Sequence, residues 1–140
     1  MITNDDRKKI EKYLASQKNI DVAYLFGSQS NGKSNKLSDI DIAVLFEEKV
    51  PKIERFNKKL HIMGELGTIL KRNDVEVLDL NLADTVLKFS AIENRDLLLV
   101  KNNLARTLFE ADTMTKYQDY KYYLTMNTKL SLQSFSRMDI

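Results

Sequence analysis

The chain alternates between hydrophobic patterns typical of helices and of strands. Apolar residues spaced at three and four predict a first helix over about residues 4–17, with Thr3 and Asp6 resembling a capping box at its start. Ile20–Phe26 is rich in β-branched and aromatic residues and stops at a glycine, so it predicts a strand. Residues 39–46 are apolar except for two carboxylates, which predicts a second strand buried on both faces.

The second half of the chain continues the alternation. Pro51 is expected at the first position of a long helix with one apolar stripe, made of Ile53, Phe56, Leu60, Met63, Leu66 and Leu70. Residues 75–80 predict a third strand, Asp84 can cap the next helix, and residues 97–100 can add an edge strand. A last helix is predicted from residue 103 to about residue 130, with one apolar face formed by Leu104, Leu108, Ala111 and Met114.

This order of elements predicts an α/β (α+β) fold, in which helices flank a mixed β-sheet and a C-terminal helical extension follows. The length of 140 residues fits a single domain. We expect a core over residues 1–102 and a helix and tail over residues 103–140 as part of the same domain.

Composition narrows the chemistry. A net charge of +2, from 22 basic and 20 acidic residues, is too small to indicate direct nucleic-acid binding by bulk electrostatics. The absence of cysteine excludes disulfides and thiolate sites, and the single histidine, His61, excludes most histidine-based metal centres, so metal binding would depend on carboxylates. We expect His61 to be structural or exposed.

The N-terminus is polar and the apolar runs are short, so the sequence predicts no signal peptide and no membrane span. We therefore expect a cytoplasmic protein.

One constellation carries the chemistry: Gly27 and Ser28, ten further residues, and then Asp39-Ile40-Asp41. Side chains at i and i+2 of a strand share a face, so Asp39 and Asp41 converge, and paired carboxylates suit Mg²⁺ that takes its other ligands from phosphates. Gly27 lets the backbone approach a phosphate closely, and Ser28 can offer its hydroxyl to the same anion. The pattern predicts an ATP-like site at one edge of the sheet.

A site with two metal ions usually needs a third carboxylate. The third strand offers Asp74, Glu76 and Asp79, and alternation puts Glu76 and Asp79 on opposite faces. We choose Glu76 because it lies inside the strand, whereas the other two lie at its ends.

These residues resemble the signature of the DNA polymerase β-like nucleotidyltransferase superfamily, and the small size is similar to its minimal nucleotidyltransferase (MNT) branch. Residues 75–81 resemble the strand that carries the third acidic residue of that family. The resemblance implies that Asp39, Asp41 and Glu76 are catalytic and hold two Mg²⁺ ions, with ATP as co-substrate. It also implies the activity of the adenylyltransferase antitoxins in HEPN/MNT toxin–antitoxin pairs. Those proteins transfer AMP to a hydroxyl, here expected to be tyrosine or else serine or threonine, of a HEPN-domain ribonuclease toxin encoded beside them.

Two features depart from the family pattern. Glu76 stands where the family more often has Asp, and residues 29–31 lack the Arg that often follows Gly-Ser. Lys33 and Lys36 can supply the missing positive charge, so we expect both to bind the nucleotide together with Gly27 and Ser28.

Two other functions stay open: a small-molecule, antibiotic-type nucleotidyltransferase, and a non-catalytic antitoxin that masks its partner stoichiometrically.

Four tyrosines cluster in the last helix, at positions 117, 120, 122 and 123. They cannot all face one core, so we expect Tyr120 and Leu124 to pack inward and the others to be exposed. An exposed tyrosine cluster favours a surface for a partner protein or for a homo-oligomer. Lys71 and Arg72 are expected at a solvated helix end rather than against a nucleotide.

Overall fold

The computed structural model describes residues 2–26, 40–93 and 96–138, with side chains in the last helix described as far as Leu132. Four helices and four strands occur in these segments. In chain order they are α1 (Asn4–Ser16), β1 (Ile20–Phe26), β2 (Ile40–Phe46), α2 (Lys52–Leu70), β3 (Val75–Asp79), α3 (Thr85–Glu93), β4 (Leu97–Val100) and α4 (Asn103–Met138).

The strands form one mixed sheet in the order β3-β2-β1-β4. β1 is antiparallel to both of its neighbours, whereas β2 and β3 are parallel. The predicted fold class is therefore confirmed, and β2 lies inside the sheet.

Two helical layers cover the sheet because the strand residues alternate between its faces. Ile42 and Val44 belong to a buried cluster with α1 and α2, which contribute Ile10, Leu14, Ile62 and Leu66. The intervening Ala43 and Leu45 belong to a second cluster on the α3 and α4 side. β2 is consequently buried on both faces, as its near-continuous apolar sequence predicts.

Local capping starts the helices close to the predicted positions. The Thr3 hydroxyl accepts a hydrogen bond from the Asp6 N–H at 3.0 Å, and the Asp84 carboxylate accepts one from the Leu87 N–H at 2.9 Å. Pro51 is the N-cap of α2 rather than its first helical residue, because its ψ of 155° is extended and its carbonyl accepts the Arg55 N–H at 2.9 Å.

The predicted apolar stripe of α2 is wrong in its first half. Ile53, Phe56 and Leu60 are 70%, 52% and 48% exposed, whereas Ile62 and Leu66 are buried. The reason is a buried polar contact: Arg55, which lies two turns before Ile62 and three turns before Leu66 on the same face, donates a hydrogen bond to the buried Asp79 carboxylate at 2.9 Å. Turning Arg55 inward rotates Ile53 and Phe56 towards solvent.

α4 also differs from its prediction. Its expected core residues Leu104 and Leu108 are 68% and 62% exposed, while the face with Phe109 and Thr113 packs on the sheet. Tyr120 and Leu124 lie further along that packing face, but nothing in the described part of the fold stands opposite them, and the prediction that they pack inward is wrong.

Candidate active site

Asp41 and Glu76 lie side by side on neighbouring parallel strands. Their Cα atoms are register partners between β2 and β3. Register partners of adjacent strands project from the same face, which here is the face shared with Ala43 and Leu45 rather than the one covered by α1 and α2. Asp41 is half-buried and Glu76 is exposed, so the pair opens towards solvent.

The pair stands at the edge where the first two strands meet. Phe26, the last residue of β1, is the register partner of Asp41, and β2 begins at Ile40. The Leu25 N–H donates to the Asp96 carbonyl at 2.8 Å, so β4 begins at this edge as well. The chain between Phe26 and Ile40 therefore both leaves and re-enters the sheet beside the two carboxylates.

Five of the predicted site residues lie in that connecting segment and outside the described residues. They are the predicted metal ligand Asp39 and the predicted nucleotide contacts Gly27, Ser28, Lys33 and Lys36. Their roles stay predictions.

Asp79, one of the alternatives for the third carboxylate, takes part in a different interaction, with Arg55. It projects from the opposite face of β3, is 7% exposed, and accepts the Arg55 Nε–H at 2.9 Å and the Asn81 N–H at 2.9 Å. A carboxylate that is buried against a guanidinium on the other face of the sheet cannot reach Asp41.

Asp74, the other alternative, is engaged by Arg72 just before β3. Arg72 donates two hydrogen bonds to the Asp74 carboxylate, at 2.7 and 2.5 Å. The guanidinium holds the pKa of Asp74 below its usual value, chiefly through these hydrogen bonds. Arg72 thus anchors the start of the strand at a partly exposed helix end, and Glu76 is the strand carboxylate in register with Asp41.

A contact that the sequence analysis did not identify ties α4 to the site face of the sheet. The buried Tyr24 of β1 donates a hydrogen bond from its hydroxyl to Glu110 at 2.7 Å, and Arg106 approaches the same carboxylate at 3.4 Å. Burial, followed by the Glu110 contact, raises the pKa of the Tyr24 phenol. A buried tyrosine needs a partner for its hydroxyl, but the i,i+4 spacing in the sequence indicates only the Arg106–Glu110 pair and not its contact with Tyr24, 86 residues away.

The donor set suits a hard divalent cation. Carboxylate oxygens on two rigid, adjacent strands are the ligands that Mg²⁺ takes in proteins. Among the residues that the structure describes, no group of three or more His, Cys, Asp or Glu side chains could hold a metal ion. Asp39 lies outside the described residues, so Asp41 and Glu76 are the two members of the predicted triad whose relative position the structure describes.

In the segments covered by the structure, no helix is both long and apolar enough to cross a membrane.

Comparison with known proteins agrees with this arrangement. The family described as "Polymerase beta, Nucleotidyltransferase" matches residues 8–104. A curated relative, the protein adenylyltransferase MntA of Shewanella oneidensis, is 38% identical over 68 residues, which cover 49% of this chain and 45% of the relative. The match thus spans less than half the length of that relative.

Solved structures extend the similarity to most of the chain. The crystal structure of a toxin–antitoxin with AMP-PNP contains a chain with a TM-score of 0.66 and 25% identity, over 91% of this chain and 97% of that one. A MntA–HpeT toxin–antitoxin mutant with two aspartates replaced by glutamate gives a TM-score of 0.69 and 26% identity, over 89% and 95% of the two chains. From its fold, its paired strand carboxylates and the match over residues 8–104, the chain belongs to the polymerase β nucleotidyltransferase family.

Proposed function

We propose that the protein transfers AMP from ATP to a hydroxyl group of a HEPN-type toxin and thereby neutralises that toxin. The observation that carries the proposal is the in-register pair Asp41 and Glu76 at the edge where β1 ends. Membership of the family supports nucleotidyl transfer as the reaction class. The name of the MntA relative and the ATP analogue in a matched toxin–antitoxin structure support adenylyl transfer within a toxin–antitoxin pair. We place the protein in the cytoplasm, because both ATP and a ribonuclease partner are expected there.

In this proposal Asp41 and Glu76, together with Asp39, would hold two Mg²⁺ ions. When bound, Mg²⁺ neutralises phosphate charge and lowers the pKa of the attacking hydroxyl. The carboxylates would orient the nucleotide because they project from adjacent, hydrogen-bonded strands of one sheet.

The connecting segment would hold the triphosphate. Gly27 allows close approach of the backbone, Ser28 donates its hydroxyl, and Lys33 and Lys36 offset negative charge. The acceptor oxygen then forms a bond to the α-phosphorus, the bond between the α-phosphorus and its bridging oxygen to the β-phosphate breaks, and pyrophosphate leaves. The acceptor gains AMP and its hydroxyl proton is released.

A labelling experiment tests the reaction class. The protein is incubated with Mg²⁺, the HEPN-type product of the neighbouring gene, and ATP labelled either at the α- or at the γ-phosphate. We expect the partner to acquire the α-label and not the γ-label. Asp41→Asn should abolish labelling, whereas the control Glu48→Gln, an exposed carboxylate beyond the opposite end of β2, should not. Partner that acquires no α-label from a folded wild-type protein would defeat the proposal.

The exposed second half of α4 favours one other candidate, an antitoxin that masks its partner without chemistry. The two functions separate in cells that express the toxin. If Asp41→Asn still protects the cells as well as the wild type does, masking is the function. If protection is lost while the variant accumulates normally, protection depends on the site.

A further inference from the structure

The second half of α4 has no covering layer. Every residue from 118 to 132 is exposed, and we call this segment the arm. Its apolar side chains have exposed fractions between 38% and 64%, and they are Tyr120, Tyr122, Tyr123, Leu124, Met126, Leu130 and Leu132. A soluble helix rarely leaves so many large apolar groups in water unless another molecule covers them.

All of these side chains except Leu132 share one broad face of the arm, about 200° wide at 100° per residue. At 100° per residue, Tyr120 and Leu124 continue the packing face of Thr113, while Tyr122 and Met126 project from the opposite side. The remaining flank carries Gln118, Lys121, Thr125 and Lys129, so the arm is amphipathic, and an apolar face this wide fits a groove better than a flat surface.

The sequence of the arm does not favour a stable helix in the absence of tertiary contacts. Its tyrosines, threonines and asparagine are weak helix formers, and a helix of this length in water is marginal. Thr125 and Thr128 donate hydrogen bonds back to the carbonyls of Lys121 and Leu124, at 3.0 and 2.9 Å, which does not reinforce the helix.

α4 carries the arm past the candidate active site. The helix starts beside Asp21, whose carbonyl accepts the Lys101 N–H at 2.8 Å, and it reaches Tyr24 of the same strand at Glu110. The end of β1 is about 7 Å further on, a distance that a helix covers in about five residues. α4 thus runs along β1 towards the end where Phe26 is the register partner of Asp41, and the arm adds about 22 Å of helix beyond its packed half.

Contact with α3 fixes this exit. The rings of Tyr117 and Phe89 stack at 3.8 Å with an interplanar angle of 2°. Phe89 is the middle residue of α3, which packs through Ala91 and Ile92 on the face of the sheet that carries Asp41 and Glu76. The arm is thus held at its root by α3, on the same face of the sheet as Asp41 and Glu76.

We propose that the arm is the docking element for the acceptor protein: it inserts into an apolar groove of that protein and brings the acceptor hydroxyl to the site. This inference rests on the proposed function. The arm carries only Asp119, Lys121 and Lys129 as charges, which favours an apolar protein groove over a nucleic-acid backbone. A second copy of this chain is a poorer occupant, since a coiled coil needs three or four heptads with apolar a and d positions and the arm spans about two.

Calorimetric titration of the full-length chain with the HEPN-type product of the neighbouring gene tests the proposal. All variants carry Asp41→Asn so that the partner is not modified during the titration. Tyr122→Lys with Leu124→Lys changes opposite sides of the arm, at 62% and 49% exposure. The matched control, Ile53→Lys with Phe56→Lys, changes side chains that are 70% and 52% exposed on α2, in the other helical layer. We expect at least about tenfold weaker binding for the arm variant and less than about twofold for the control.

The proposal would be overturned if the arm variant bound the partner as tightly as the parent protein, or if only the α2 variant lost affinity. It would also be overturned if partner binding were unchanged while light scattering showed that the arm substitutions dissociate a homodimer. Loss of binding to a single-stranded RNA oligonucleotide, with partner binding intact, would also overturn it. A failure of the proposed function would give a different experimental result. In that case the wild type does not label the partner, yet binding can still depend on the arm.

Discussion

Three acidic residues around β3 have three different environments within six positions. Asp74 is paired with Arg72, Asp79 is buried against Arg55, and Glu76 between them is exposed in register with Asp41. Strand alternation separates Glu76 from Asp79, and the local guanidinium distinguishes Asp74 from Glu76. A role in the transfer reaction can therefore be tested within this one strand.

Replacing these carboxylates by amides should separate catalysis from structure. We expect Glu76→Gln to lower the rate of AMP transfer at least about a hundredfold with little change in melting temperature, because a neutral amide is a poor ligand for Mg²⁺. Asp74→Asn should retain transfer within about threefold, since Arg72 already neutralises that carboxylate. Radiolabel transfer and thermal unfolding measure the two effects. The reverse ranking of the two variants would reassign the third carboxylate to Asp74.

The Asp74–Arg72 pair also predicts a dependence of stability on pH. The pKa of Asp74 is lowered in the folded protein from 3.8, chiefly by the hydrogen bonds from Arg72, so its ionised form favours folding. That stability is present above pH 3.8 and is lost as the pH falls through the lower, folded value. Asp74→Asn should therefore be less stable than the wild type at pH 7, by under about 1 kcal/mol because the pair is partly exposed. The difference should vanish in acid, as urea unfolding at several pH values would measure, and a difference that grows in acid would contradict this assignment.

At the scale of elements, α2 delivers the chain to β3 through a tight turn. Lys71 adopts the left-handed conformation with φ of 55°, and the Arg72 N–H donates to the Gly67 carbonyl at 2.9 Å. A Cβ added at Gly67 would come within 2.9 Å of the Arg72 carbonyl oxygen, whereas one added at Gly64 would meet nothing within 4 Å. The end of α2 is thus packed against the backbone that positions the strand of Glu76.

The two glycines of α2 give a matched pair of variants. Gly64→Ala should stabilise the protein by about 0.5–1 kcal/mol, because alanine reduces the freedom of the unfolded chain and favours helix. Gly67→Ala should destabilise it by about 1–3 kcal/mol, because the backbone of Arg72 must move. Chemical denaturation of both variants measures the difference, and stabilisation by both would show that the turn yields without cost.

How far the sequence could predict these features depends on the range of the interactions. The strands and the alternation of faces within each strand follow from composition and local pattern, whereas the pairing of Asp41 with Glu76 depends on the register between β2 and β3. The rotation of α2 depends on a contact between Arg55 and Asp79, residues far apart in the chain, and the orientation of α4 depends on Tyr24 and Glu110. Helical periodicity identifies an apolar stripe, but it does not identify the element that covers it.

At the scale of the whole molecule, α4 joins two regions of different stability. From Asn103 to Thr113 it packs on the sheet, and beyond Tyr117 it is exposed on all sides. Amide hydrogen exchange should therefore be slow around Phe109 and fast over residues 118–132 in the isolated protein, because few tertiary contacts oppose local opening there. Addition of the HEPN-type partner should slow exchange in the arm by at least about tenfold. Slow exchange along the arm in the free, monomeric protein would contradict its lack of independent stability.

The most direct measurement of the central claim is the intact mass of the HEPN-type partner after co-expression with this protein. With the wild type, we expect the partner to gain the mass of one or more AMP units. With Asp41→Asn, present at the same level and folded, the partner should keep its unmodified mass. A partner that stays unmodified beside the wild type, or that gains AMP equally beside Asp41→Asn, would contradict nucleotidyl transfer at the Asp41–Glu76 site.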